Sequence, residues 1–189
     1  GLLLGGVLKG QELIANAKVK NLKTTVDGVT AAIYGYQDRY RVLPGDDPSA
    51  STRFSATDCG GSACSAPSGI NAGNGQINGN WNSINNNDES RMIWQHLRAA
   101  GFLKGEGNSI FQQPRHPYGG IVGIQAINAN NLGYGNTFFL QNIAGKDSQA
   151  FDSTVDDGYR NTGAVRGGNE TGVGQPYQEN GNYTLTTRL

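Results

Sequence analysis

The sequence predicts an α+β fold with one long N-terminal helix as its spine, on three observations. Ala15, Val19, Leu22, Val26, Val29, Ile33, Tyr36 and Tyr40 recur at steps of 4, 3, 4, 3, 4, 3 and 4, the period of one helical face. Two short runs rich in β-branched and aromatic residues, Gly120–Ile127 and Thr137–Ile143, follow in the second half, separated by Asn/Gly turn material. Further strand-like segments lie at Gly163–Arg166 and Tyr183–Thr187. A small antiparallel sheet packed on the C-terminal half of the helix would bury its apolar stripe.

The helix comes first. At about 1.5 Å per residue, roughly 30 to 35 residues make a rod on the order of 50 Å long, more than a small domain needs to cover its core. One end is therefore expected to project. The leading end, Gly1 to Leu8, is apolar with no charge before Lys9, whereas Glu12, Lys18, Lys20, Lys23 and Asp27 make the rest amphipathic. This divides residues 1–43 into an apolar segment, 1–14, and an amphipathic shaft, 15–43. The apolar string is too short to span a bilayer, which takes about 20 residues, and reads as the tail of a longer hydrophobic segment. A packed core segment or a signal-peptide remnant is the plainer alternative.

Leu43-Pro44-Gly45-Asp46-Asp47-Pro48 stops the helix, because proline disfavours helical backbone in the residue before it. Residues 44–189 form the head. From Ser49 to Asn86 the chain is mostly Ser, Gly, Asn and Thr without periodicity, and reads as an irregular, partly ordered excursion over the surface, of the kind that carries exposed function. Within it Cys59 and Cys64 read as a small disulfide loop in preference to two free thiols, which implies an oxidising compartment. No second Cys pair or nearby His completes a zinc site. Asn74, Gln76, Asn78 and Gly79 have the spacing of an EF-hand loop but no carboxylate, with Asn85 at the twelfth position, so they read as turn residues.

A second helix starts at Asn87 or Asp88, with Glu89 in its first turn. It turns Met92, Ile93, Trp94, Leu97 and Ala100 inward and ends between Gly101 and Gly105. His96 on it reads as a hydrogen-bonded, partly buried residue, and His116 as a loop residue. Ala144 to Val155 reads as a short helix with Ala150 and Phe151 inward, ended by Asp156-Asp157-Gly158.

Composition narrows the function classes. The chain has 189 residues, 36% hydrophobic and 16% charged, and its charges balance to zero. It lacks the basic surplus of a nucleic-acid binder, and low charge suits subunits that pack on their own copies. Catalysis has little support: no Ser, His or Cys constellation exists, and Asp156 and Asp157, with Asp152 nearby, fit a helix-end turn better than an acid/base pair. The same three aspartates are weak candidates for a structural calcium site; otherwise no metal and no cofactor is expected. Tyr34, Tyr36, Tyr40, Arg39 and Arg41 form an aromatic and basic group of the type that binds single strands, although Tyr36 and Tyr40 continue the buried stripe.

Taken together, Gly1–Ile14, Tyr36-Gln-Asp-Arg-Tyr40 leading into Leu43–Pro48, Trp94–Leu103 and Val155–Arg166 resemble type IV pilins and type II secretion pseudopilins. The family's leader cleavage site, the Phe after it and the early glutamate are absent here; Glu12 sits past the apolar run and does not take that glutamate's part. The resemblance implies that further mature residues precede Gly1. It also implies a precursor in the inner membrane of a Gram-negative bacterium, extraction with the help of minor pilins and assembly machinery, and a helical homopolymer at the cell surface. Leu2, Leu3, Leu4, Val7, Leu8, Leu13 and Ile14 would then form the filament-assembly segment. Gly1, Gly5, Gly6 and Gly10, each costing helix stability by up to about 1 kcal/mol, would let it unwind partly in the filament. Close helix packing is the alternative use of these glycines. The expected function is a pilus subunit for adhesion, motility or DNA uptake, with a periplasmic pseudopilin second and nucleic-acid binding by the whole filament left open.

Overall fold

A computed structural model describes residues 2–105, 110–168 and 174–189. Helix α1 spans Leu2–Tyr40 and ends where Arg41 takes a left-handed conformation (φ 61°) just before the Pro44 stop. The heptad-like stripe is buried from Val19 onward: Val19, Leu22, Val29, Ile33 and Tyr36 are in the core, with Val26 and Tyr40 packed against its margin. Ala32, on the same face, is buried as well.

Helix α2, Ala50–Arg53, is a single turn within the expected irregular excursion. Helix α3, Glu89–Ala99, buries Met92, Ile93, Trp94 and Leu97 as the periodicity demands, while Ala100 stays at its edge. Asp88 occupies the N-cap, but its carboxylate makes no capping bond and instead accepts from Ser83 and Asn85. The helix closes with Phe102 N–H donating to Leu97 O and Gly101 N–H to Arg98 O, the paired bonds of a helix end that turns through a left-handed glycine.

Four strands, β1 (Val122–Ala126), β2 (Asn136–Ala144), β3 (Val165–Arg166) and β4 (Asn182–Arg188), form one antiparallel sheet in the order β1-β2-β4-β3. The expected hairpin pairs Val122 with Leu140 and Ala126 with Asn136, and a bulge with left-handed Asn142 shifts the register between β2 and β4. Alternation sets the faces. Val122, Ile124, Phe138, Leu140 and Leu185 point into the core shared with α1, whereas Phe139 points away and is covered by Trp81, stacked at 5.1 Å. Gly123 on β1 leaves the room this cover needs, since a Cβ there would overlap the Trp81 carbonyl.

Helix α4, Gly145–Val155, buries Phe151 but not Ala150, which is exposed. The inward side is Ser148, Phe151 and Asp152, so the helix is seated by hydrogen bonds as well as by apolar contact. Ser148 donates to Ile143 O, and Asp152 accepts from Tyr177. A polar inward side has no apolar periodicity to reveal it, which explains the misplacement of Ala150.

Candidate functional site

The proximal part of α1 is the most unusual surface of the chain. From Gly6 to Lys18 no residue is buried, and Val7, Leu8, Leu13 and Ile14 are 56–61% exposed. Projected at 100° per residue they fall at about 0°, 100°, 240° and 340°. The apolar positions thus spread over roughly two thirds of the circumference, far wider than the ~100° stripe that one packed face needs. Lys9 and Glu12 occupy the remaining sector and pair there at 3.5 Å. Such a surface matches surroundings that are apolar on several sides. Leu2, Leu3, Leu4 and Gly5 extend the same helix, with their side chains outside the described residues, as is all of Gly1. In the single chain the helix runs unbroken through Gly5, Gly6 and Gly10, and a Cβ at Gly6 or Gly10 would meet nothing. The expected loosening concerns the assembled state. Among the described residues no helix is long and apolar enough to cross a membrane.

At the other end of α1 the head is organised around buried carboxylates. Asp47 accepts from Tyr36 Oη (2.7 Å), Arg53 Nε (2.9 Å) and Ser49 N–H (2.9 Å). Burial alone would raise its carboxyl, but these bonds, Arg53 first, outweigh it and hold the pKa below the usual carboxylate value. Burial and the Asp47 bond push the Tyr36 hydroxyl well up. Asp46 accepts the Gly73 and Gly75 amides at 2.5 and 2.6 Å; its burial raises its pKa against the pull of those amides. Glu89 accepts both the backbone and the side-chain N–H of Asn78, and burial raises its pKa too. Three acids from the helix stop and the start of α3 thereby tie residues 49–78 to the end of α1 and to α3. The sequence reading missed them. Its one signal was an Asp-Asp pair at a helix stop in a chain otherwise poor in charge.

The disulfide is formed between Cys59 and Cys64, and both residues are buried against Ala50. Its loop is docked on α3: Gln95 accepts the Ser65 N–H and donates to Cys59 O. His96 is fully buried, with Nδ1 accepting the Gly45 N–H and Nε2 donating to Ser65 O, an arrangement that needs the neutral ring; burial lowers its pKa accordingly. His116 lies in a loop but is buried and bonds Gln141 O. The excursion is therefore anchored and partly internal, with Ile77 in the main core. Asn74 accepts the Gln76 N–H, the turn role expected for that segment.

Asp152, Asp156 and Asp157 do converge, with one oxygen of each within 4.8 Å of the others. Their bonds are those of a turn. Buried Asp152 accepts from Tyr177 Oη (2.7 Å) and Gly158 N–H (3.0 Å), Asp156 from Ala164 N–H, and Asp157 from Tyr159 N–H and Thr162 Oγ1. Burial, with a contribution from the two neighbouring carboxylates, raises Asp152 to about 6 although the Tyr177 and Gly158 bonds oppose it. The aromatic and basic group is divided. Tyr36 is internal, Tyr40 packs on Phe54 and under Arg53, and Arg39 lies over Phe102, leaving Tyr34 and Arg41 outside.

Comparison of the chain with protein-family models, with curated proteins and with solved structures found no match.

Proposed function

We propose that this chain is a structural subunit of a type IV pilus, with a type IV pilin-like fold, and that it polymerises through the apolar N-terminal part of α1. The observation that carries this reading is the exposed apolar surface of residues 7–14, which covers too much of the helix for one partner face. A helical bundle of copies supplies apolar neighbours on several sides, and each apolar Å² removed from water contributes about 25 cal/mol. A head-to-tail contact that does not close on itself then extends as a filament. The buried disulfide suits the oxidising side of a membrane. The polymer's roles would be adhesion, motility or DNA uptake at the surface of a Gram-negative cell, from an inner-membrane precursor.

Electron microscopy of material sheared from cells expressing the gene tests the proposal. Long thin fibres containing this chain support it, and their loss in a Leu8→Lys/Leu13→Lys variant ties polymerisation to α1. Protein retained in the envelope without fibres, in cells that export other pili, turns the assignment to a secretion pseudopilin. A soluble monomer defeats both.

A further inference from the structure

A groove of about 560 Å³ runs between the C-terminal third of α1, the 73–75 turn and the end of β4, bordered by Tyr34, Gln37, Arg41, Asp46, Asn136 and Arg188. Its volume lies in the range of small-molecule clefts, about 300–1,000 Å³. Part of the lining is fixed. Asp46 is fully buried with its oxygens on the Gly73 and Gly75 amides, and Asn136 accepts the Ile77 N–H and donates to Gly75 O, so one wall is rigid and its polar groups are used.

The other side is unused. Tyr34 is 53% exposed, and neither its hydroxyl nor the side-chain amide of Gln37 makes a hydrogen bond among the described residues. Among the described residues the guanidinium of Arg41 meets only Asp38, at 3.4 Å, with both side chains more than 80% exposed. Arg188 is the best-placed cation. Its Nε and Nη2 donate to the carbonyls of Leu132 and Tyr134, and a Cβ on Gly135 would overlap it, so the group is held in one orientation by backbone. Among the described residues no carboxylate lies within ion-pair distance of it. An immobilised guanidinium without a counter-charge is suited to a planar anion.

From this arrangement we infer that the groove binds an acidic saccharide, with a uronate carboxylate on Arg188, the sugar ring against the face of Tyr34, and hydroxyls on Gln37 and Arg41. Among the residues that line the groove Tyr34 supplies the one aromatic ring, since the exposed Tyr134 beside Arg188 is not part of the lining, and this ring with the amide favours a sugar over a nucleic acid. Single-strand binding needs successive stacking rings along a basic track, and here one ring is flanked by two arginines and a buried aspartate. This inference goes beyond the filament assignment and does not depend on it, because one subunit supplies every contact.

The test is calorimetric titration of the full oxidised chain, kept in a sugar-free polyoxyethylene detergent, with trigalacturonate, maltotriose and a short oligothymidylate. The expected result is saturable binding of trigalacturonate and at least tenfold weaker binding of maltotriose. Arg188→Gln should weaken the acidic sugar tenfold or more, and Tyr34→Ala several-fold. If Arg188→Gln lowers the unfolding midpoint, the exposed variants Tyr34→Ala and Arg41→Gln decide. Equal affinity for maltotriose, tighter binding of the oligothymidylate, no saturable binding up to millimolar ligand, or unchanged affinity in the variants would each overturn the inference.

Discussion

Asp47→Asn removes the charge on which the end of α1, the 44–49 turn and α2 converge. In the wild type one carboxylate accepts from the Tyr36 hydroxyl, the Arg53 guanidinium and the Ser49 amide while only 1% exposed. An amide of the same shape offers one oxygen and points N–H groups at donors. At least one buried donor loses its acceptor, at about 1–3 kcal/mol, and the charge-assisted pair to Arg53 is lost. Breaking a fully buried ion pair costs about 3–5 kcal/mol. Arg53 retains some access to water, with 29% of its side chain exposed, which places the total near the lower bound, about 3 kcal/mol. For a chain of this size that is a drop of about 6–12 °C in midpoint. Urea unfolding of wild type and variant at pH 7 and pH 3, with the disulfide oxidised, measures it. The folded-state pKa of Asp47 is depressed, so its contribution is present above the unfolded carboxylate value near 4 and is lost as pH falls through the lower folded value. The difference between the two proteins should therefore be largest at pH 7 and shrink on acidification. A difference under 1 kcal/mol at pH 7, or one independent of pH, would refute the account of Asp47 as the charged hub of this junction.

Asp152 should behave in the opposite sense. Its folded pKa is raised to about 6, so the fold binds its proton more tightly than the unfolded chain, and its stabilising effect is present below the unfolded value and lost as pH rises through about 6. Wild type should gain on Asp152→Asn by up to about 3 kcal/mol between pH 7 and pH 4 in paired denaturant titrations, and a constant gap would contradict this. Cys59→Ser/Cys64→Ser opens a short ring and should cost about 2 kcal/mol. Hydrogen exchange should rise at the Ser65 amide, which Gln95 holds, while β2 stays protected. Leu8→Lys/Leu13→Lys alters residues 56–61% exposed in the single chain, so the unfolding free energy of the head should change by less than about 0.5 kcal/mol while polymer yield collapses. A large loss of head stability would mean that these residues already pack within the chain.

What the sequence reveals and what it hides follow from the kind of interaction involved. The α1 stripe, the inward residues of α3 and the β1–β2 hairpin rest on apolar periodicity, and the structure places Leu22, Ile33, Trp94 and Phe138 where that pattern puts them. The chain from Ser49 to Asn86 has no periodicity, and its order comes from single long-range bonds, Asp46 to Gly73 and Gly75, Glu89 to Asn78 and Gln95 to Ser65. Nothing local encodes such partners, so a segment that reads as an irregular, partly ordered excursion is anchored by contacts its sequence does not name. Ala150 shows the same limit, because the inward side of α4 is chosen by Asp152 and Ser148, which a search for apolar faces passes over. Arg188 could not be found as a groove residue from sequence, since its setting depends on carbonyls of Leu132 and Tyr134 brought beside it by the sheet. Of the apolar surface of residues 7–14, Val7 and Leu8 are legible in a string without charge before Lys9, whereas Leu13 and Ile14 lie past Lys9 and Glu12 and join it through the helical projection.

The central claim is that this surface exists to be buried among copies of the same chain. A cryo-electron microscopy map of fibres sheared from cells expressing the gene tests it directly. The account predicts a filament of this subunit with α1 bundled at the axis, Val7, Leu8, Leu13 and Ile14 enclosed by neighbouring helices, and the head outside. Fibres in which residues 6–18 face solvent, or fibres built from another chain with this one absent, would contradict it.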